Sequence, residues 1–371
     1  MIGLTEFLKF IIKIFNLEKK MKYNTSENLQ NIIKFENVLV QLKNDGIINP
    51  NINNFNNFNL DSFKILLDEN SIKINHLLEK IVKTNFSSNI NIFTPGHNFP
   101  SLSVTGSNCD LNCEHCSKKY IQQMKDISTE DKLKSVFSEL LKRNAKGCLI
   151  SGGCDSNGKV PILKFKHLLI NFRKNSNLIF NFHTGLVSEE DIQNLIEIQP
   201  NVISFDFTMD DEVIKNIYHL NKTKYDYMKV FETFKKYNLN VVPHITIGLN
   251  FGYVKNELEA LKYLQKFQHD LIVFIILIPP KNHKFIKTKL EDIKAVLTFA
   301  RLLYPTVELS LGCMRPRGKE NIEIEKVAID CGINRIVIPS KDILKYIENK
   351  GYIIHEFDAC CAIPLNLYNF K

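Results

Sequence analysis

Three cysteines, Cys109, Cys113 and Cys116, stand within eight residues in the run NCDLNCEHCSKKY. Thiolates so closely spaced on one loop can wrap three corners of an iron–sulfur cubane, because soft sulfur ligands favour iron and sulfide over hard cations. Three ligands leave one iron open. A structural zinc site would need a fourth Cys or His, and His115, caught between two of the cysteines, points badly for joining them. Spacing alone also admits a third reading, buried inert thiols. Six more cysteines lie outside the loop, at 148, 154, 313, 331, 360 and 361. Cys148 and Cys331 have apolar surroundings and read as small core residues.

The wider composition narrows the field. The chain has 371 residues, 44% hydrophobic and 24% charged, which fits a soluble globular protein and excludes a small stapled scaffold, wholesale disorder and a membrane-spanning bundle. Nine unevenly spaced cysteines and no secretory leader predict a reducing cytoplasm. The formal charge is +8, but 42 of the 48 basic residues are Lys spread along the chain. That pattern reads as a solvated surface and gives little support for a nucleic-acid partner. Where Arg persists against the Lys background, a planar two-pronged donor is expected. Two of the six Arg, Arg315 and Arg317, fall in the segment LGCMRPRG. They are expected to contact a carboxylate or phosphate.

The elements that must position these residues can be counted. Ile2 to Phe15 is apolar except for Gly3, Thr5 and three charges on one side of a helix, too short and too charged to span a bilayer. Between Asn49 and Asn59, seven of eleven residues are Asn, a biased loop flanked by helical patterns over 26–44 and 60–84. From residue 101, short β-branched runs alternate with amphipathic stretches. The predicted strands cover 101–107, 148–153, 178–185, 202–208, 241–249, 271–279, 307–313 and 335–340. Ser128 before Asp131 and Ser188 before Asp191 mark two helix starts. Eight such units predict an α/β fold, a (β/α) TIM-type barrel, full or partly open, with an N-terminal helical segment. The expected division is a helical segment over 1–90, a barrel over 91–350 and a C-terminal tail over 351–371. A barrel places chemistry at the C-terminal ends of its strands, where His183, Thr184, Asp206 and Thr208 fall; His244 lies within the fifth strand. Each is open to a structural reading as well. Asp206 is the best candidate to hold a hydroxyl, since a buried carboxylate needs donors.

The CxxxCxxC loop after a first barrel strand resembles the signature of the radical S-adenosylmethionine (SAM) superfamily. Ser151-Gly152-Gly153 resembles that family's glycine-rich segment beside the methionine amino group, with Cys154 where an acidic residue is usual. HITIGL partly matches the segment along the adenine: Gly248 is in place, while His244 stands where the pattern has glycine. His115 occupies a position often aromatic in the family, suited to lie against the adenine. The segments SVTGSNCDLNCEHC, LISGGCDSNGKVP, NFHTGL, VPHITIGL and LGCMRPRG together resemble archaeal biotin synthase homologues, a group that includes one component of the archaeal two-part lipoyl synthase. The resemblance spans about residues 92–364.

It implies an enzyme with a [4Fe-4S] cluster on Cys109, Cys113 and Cys116 and with SAM as co-substrate. Reductive cleavage of SAM would yield a 5'-deoxyadenosyl radical that abstracts hydrogen from an unactivated carbon, in a lumen lined by Val, Ile, Leu and Phe. The implied outcome is sulfur insertion, as in lipoyl or biotin synthesis, with Cys154, Cys313, Cys360 and Cys361 as candidates for a second, auxiliary cluster. Asp206, His183, Arg315 and Arg317 are the expected catalytic residues, and Asp206 would hold a ribose or substrate hydroxyl. Two rival readings remain: another radical outcome, such as rearrangement, cleavage or methylation in cofactor assembly, and a zinc-stabilised basic RNA-binding module. Expected partners are a small-molecule or carrier-bound substrate, a reductant such as ferredoxin or flavodoxin, and a partner radical SAM subunit, with no membrane.

Overall fold

The computed structural model describes residues 33–281 and 284–367. The amphipathic stretch from Ile2 to Phe15 lies outside the described residues. Eleven strands form one all-parallel curled sheet: β1 (Asn89–Phe93), β2 (Ser101–Ser103), β3 (Lys125–Asp126), β4 (Gly147–Ser151), β5 (Ile179–His183), β6 (Val202–Asp206), β7 (Val241–Ile247), β8 (Leu271–Ile276), β9 (Glu308–Leu311), β10 (Arg335–Val337) and β11 (Ile353–Phe357). Their order across the sheet is β11-β1-β10-β9-β8-β7-β6-β5-β4-β2-β3. This is a partly open TIM-type α/β barrel. All eight predicted strands are present, as β2 and β4 to β10.

Three strands escaped the pattern. β3 is two residues long, β1 straddles the expected boundary between helical segment and barrel, and β11 sits in the stretch read as tail. β1 inserts between β10 and β11, with Ile92 opposite both Ile336 and Glu356. The helical patterns shift as well. The stretch 60–84 is two helices, Leu60–Glu69 and Ser71–Phe86, interrupted at Asn70, whose side-chain amide donates to Leu66 O at 3.1 Å. The helix expected to start at Ser128 is capped one residue later by Thr129, whose Oγ1 accepts the Lys132 N–H, while the Ser128 N–H donates to Asp126 Oδ1. Ser188 and Asp191 do form the reciprocal capping box, each side chain accepting the other's N–H at 3.0 Å.

Period-2 alternation sorts the strands into two faces. Ile203, Phe205, Ile245, Ile272, Phe274, Leu309 and Ile336 point outward and pack under the helices. The helix Leu290–Leu303 is buried on both sides, against the sheet and under the N-terminal helices. Phe63 and Phe299 meet edge to face at 5.1 Å, and Lys64 Nζ pairs with Asp292 Oδ1 at 2.6 Å. The lumen face is different. Val202, Val242 and Leu271, at the starts of their strands, pack against Ala359, Cys361, Ala362 and Ile363, so the chain after β11 folds across the N-terminal end and closes it as a floor. Arg335, fully buried, donates from Nη1 to Cys361 O (3.0 Å) and Ile363 O (2.8 Å) and pairs through Nη2 with Glu308.

Candidate active site

Above that floor the lumen is mixed: β8 turns the apolar Val273 and Ile275 inward, while the inward positions of the other strands carry Ser103, Ser151, His183, Asp206, His244 and Thr246. His183 Nε2 and Asp206 Oδ2 approach to 3.4 Å, and the rings of His183 and His244 lie 5.7 Å apart. Asp206 keeps 47% of its side-chain surface open although it lies inside the strand ring.

Charge in this group is set by competition between burial and neighbours. Burial pushes the Asp206 carboxyl up, but the imidazoles of His183, His244 and His115 outweigh it and hold the acid at about 2. Burial pushes His183 down, but the attraction of Asp206 raises it above its ordinary 6.5. His244, buried and beside His183, is lowered to about 4, and its Nδ1 lies 3.1 Å from Val242 O. The pair therefore stabilises the fold where both members are charged. The His183 contribution is present below pH 6.5 and fades as the pH rises past its raised value; that of Asp206 is present above its ordinary 3.8 and is lost as the pH falls through 2. Asp206→Asn should move the His183 midpoint from above 6.5 to below it, since burial alone is left acting on the ring. An imidazole nitrogen titration by NMR reads this, and an unmoved midpoint would refute the pairing.

The cysteine loop follows β2 and hangs over the same end of the barrel. Sulfur atoms of Cys113 and Cys116 and a ring nitrogen of His115 lie within 4.8 Å of one another, the only such group of three among the described residues. His115 thus turns toward the thiols rather than away from them, a correction to the sequence expectation. Its ring stands edge-on to Tyr218 at 5.5 Å, and its buried Nδ1 has no hydrogen-bond partner. A hydrogen bond between Cys113 and Cys116 holds the Cys116 thiol down at about 7 and drives Cys113 up. Cys109 is close enough for its charge to act on both Cys113 and Cys154. Cys113 and Cys116 converge with the unsatisfied imidazole of His115 while Cys109 stands outside that group of three, a soft donor set that fits a thiolate-held iron–sulfur cluster.

Packing gives Gly153 a reason of its own to be glycine. A Cβ on Gly153 would lie 2.0 Å from Asn108 O and 2.5 Å from Cys109 Cβ, so this residue is glycine because the cluster loop is pressed against the end of β4. Its N–H donates to Thr105 Oγ1 at 2.7 Å. Gly153→Ala should therefore displace Cys109 and cost most of the bound iron, whereas Gly351→Ala, with open space around it, should cost none. Iron per chain after anaerobic reconstitution decides; full retention in Gly153→Ala would sink the argument. Ser151 is buried at the end of β4, a Cβ on Gly152 would lie 3.1 Å from Thr105 Oγ1, and a Cβ on Gly248 would meet Thr288 Oγ1 at 1.9 Å.

Arg315 does not face the lumen. It is fully buried, with Nε donating to Asn321 Oδ1 (2.8 Å), Nη1 to Gly312 O (2.7 Å), and Nη2 to Glu325 and Val337 O. The carboxylate that Arg315 contacts belongs to Glu325 and not to a ligand in the lumen, because its fork is consumed inside the protein. Arg317 is exposed on the rim and donates to Cys313 O at 2.9 Å. The candidate second site also divides. Cys154 lies toward Cys109, Cys116 and Asp206, where burial lifts it to about 12. Cys313, Cys360 and Cys361 neighbour one another instead, with the Asn181 amide donating to Cys360 Sγ at 3.6 Å. Cys148 and Cys331 are core residues as expected.

Two parts of the site carried no sequence signal. Tyr218 ends a single π-turn, Val213–Ile217, and its carbonyl lies 3.8 Å from Cys113 Sγ. Asn181 is held by Ser204 Oγ at 2.9 Å and reads in sequence as one more strand residue.

The sequence model of the radical SAM superfamily matches residues 103–264. Among solved structures, methylornithine synthase is similar with a TM-score of 0.54 at 15% identity, covering 80% of this chain and 94% of that one. The FeFe-hydrogenase maturase HydG from Carboxydothermus hydrogenoformans is similar with a TM-score of 0.60 at 13% identity, covering 95% and 85%. At these identities the likeness is one of fold. No curated protein matches the chain by sequence. The family model covers less than half of the chain, and with the shared fold it supports a radical SAM-like barrel over residues 103–264. No helix among the described residues is long and apolar enough to cross a membrane.

Proposed function

We propose that this chain is a cytoplasmic radical SAM enzyme that inserts sulfur at an unactivated carbon, in the manner of lipoyl or biotin synthases. The observation that carries the reading is the pair Cys360 and Cys361 on the lumen floor, below His183, Asp206 and His244 and across the lumen from the cysteine loop. A substrate carbon held between them has a radical source on one side and sulfur on the other. When bound, the [4Fe-4S] cluster supplies the electron that splits SAM into methionine and a 5'-deoxyadenosyl radical. The chain's own residues do the rest. Cys109, Cys113 and Cys116 hold the cluster; Ser151, Gly152, Gly153 and Gly248 shape the backbone around SAM; His115 stands beside the adenine. Asp206, fixed by His183, accepts a hydrogen bond from a hydroxyl of SAM ribose or substrate. The closed floor keeps water from the lower lumen. A second cluster, for which Cys313, Cys360 and Cys361 are the candidate ligands, would supply the sulfur, and a ferredoxin or flavodoxin the electron.

Anaerobic reconstitution tests this. Sulfur insertion from a second cluster expects about eight irons per chain. Cys360→Ala with Cys361→Ala should lower that to about four while 5'-deoxyadenosine still forms with dithionite and SAM. A wild-type chain that binds only about four irons and still cleaves SAM overturns sulfur insertion from a second cluster and favours rearrangement or cleavage chemistry.

A further inference from the structure

Glu257 is the first residue of the helix Glu257–Leu264 and is buried. Burial pushes its carboxyl up to about 7, against backbone N–H groups that hold it down. A buried carboxylate needs donors, and this one finds them in the loop after β7: Oε1 accepts the Gly248 N–H and Oε2 the Lys255 N–H, both at 2.8 Å. The side chain therefore closes the loop from Gly248 to Glu257 into a ring. Lys255 turns its ammonium away, to Glu212 Oε2 at 2.6 Å, so Glu257 is matched by main-chain donors and not by the cation beside it.

Gly248 is the first residue past β7, and its backbone is held on both sides. Its N–H goes to Glu257, its carbonyl accepts the Gly252 N–H at 2.8 Å, and its φ is +77°, a conformation that glycine adopts without strain. Thr288 Oγ1, buried without a hydrogen-bond partner, stands against the same residue. The ring is also tied to the neighbouring loop. Asn250, 4% exposed, donates from Nδ2 to Asp210 Oδ2 and Glu212 Oε2, each at 2.9 Å, and Asp210 Oδ1 accepts the Glu212 N–H just before the π-turn that leads to Tyr218. Glu257 and Asn250 line one small cavity with Asp206 and His244 at the ends of β6 and β7.

An acid in the first turn of a helix is favourable simply because it faces the positive end of the dipole, and for that it can stay in water, as Glu259 does with 53% of its side chain exposed beside Lys262. Glu257 is buried instead and reaches back to the strand end. We infer that Glu257 is a positioning residue for SAM: by holding the Gly248 N–H it fixes the backbone against which SAM would lie, without touching SAM itself. The inference rests on the reading of Gly248 as part of the SAM site. It does not depend on which reaction follows SAM cleavage.

Glu257→Gln tests it, because an amide keeps the length but leaves one oxygen for two N–H donors. In the protein without cluster or SAM, amide exchange over 248–255, read by mass spectrometry, should be at least tenfold faster in the variant. After anaerobic reconstitution, the Kd for SAM by equilibrium dialysis and the KM for SAM should both rise at least tenfold. The rate of 5'-deoxyadenosine formation at saturating SAM should stay within threefold, and iron per chain should not change. Glu259→Gln should move each of these less than twofold. Thermal unfolding shows whether Glu257→Gln keeps its fold; if it does not, Glu257→Asp, one methylene shorter, replaces it with the same expected changes. Unchanged exchange or unchanged SAM affinity in a folded variant, a loss of saturated rate as large as the loss of affinity, or the same effects from Glu259→Gln would each overturn the proposal. A wild-type chain that holds its cluster and binds no SAM overturns the reading of the site, and this proposal with it.

Discussion

Cys113→Ala should abolish SAM cleavage, with 5'-deoxyadenosine formation falling by about a thousandfold or more and the brown cluster absorbance lost after reconstitution. The size of the effect follows from the donor set. Cys113 is the buried member of the loop, 8% exposed, and shares a hydrogen bond with Cys116. Removing it leaves two thiols and an imidazole for a site that needs three thiolates, and the neighbouring Cys154 is a poor substitute because burial lifts its thiol to about 12. The fold should survive, because the loop is anchored by backbone bonds such as Glu114 N–H to Ile217 O at 2.9 Å. Cys148→Ala, in the helix-facing core, is the matched control and should keep both iron and cleavage. A Cys113→Ala protein that still holds an intact cluster and cleaves SAM would end the assignment of this loop.

The largest expected loss of stability is that of Arg335→Met. Arg335 is fully buried, pairs with Glu308, and is the donor for Cys361 O and Ile363 O. Truncating one partner of a buried ion pair leaves the other charge uncompensated, at about 3–5 kcal/mol. In a chain of this size that corresponds to a fall in Tm on the order of 5–10 °C. Glu308→Leu in the same chain should recover part of the loss, because two apolar groups replace two charges. Calorimetry on the single and double variants decides, and a loss below about 1 kcal/mol in the single variant would show that the floor does not depend on this residue.

Much of the barrel was legible because parallel strands buried on both faces read as apolar β-branched runs, and VISFDFT or LIVFIILIP can hardly be anything else. The cysteine loop was legible for a different reason: three soft ligands in eight residues have few other uses. What failed did so at residues whose meaning depends on distant partners. HITIGL names His244 without showing that His183 and Asp206 share its space. Arg315 was singled out correctly as a site needing a planar fork, but sequence could not show that the acceptors are Gly312 O, Val337 O and Glu325 rather than a ligand. Arg301 repeats the lesson, buried and spending its donors on Gly332 O, Tyr304 O, Val307 O and Asn334. The floor was invisible because DACCAIPLNL has neither period and acquires its role only by crossing under strands more than a hundred residues earlier.

The sheet's two ends bear on how the chain behaves at high concentration. A sheet that does not close leaves unpaired N–H and C=O groups along its outermost strands, and such edges invite strand addition from another molecule. At one end β3 is only two residues long, with Lys125 tied to Glu139, too short to template a neighbour. At the other, β11 offers five residues with Ile353 55% exposed, and only His355 and Glu356 interrupt its accessible surface. Self-association during purification should therefore start at β11, and a lysine placed at Ile353 is the substitution that would keep the protein dispersed.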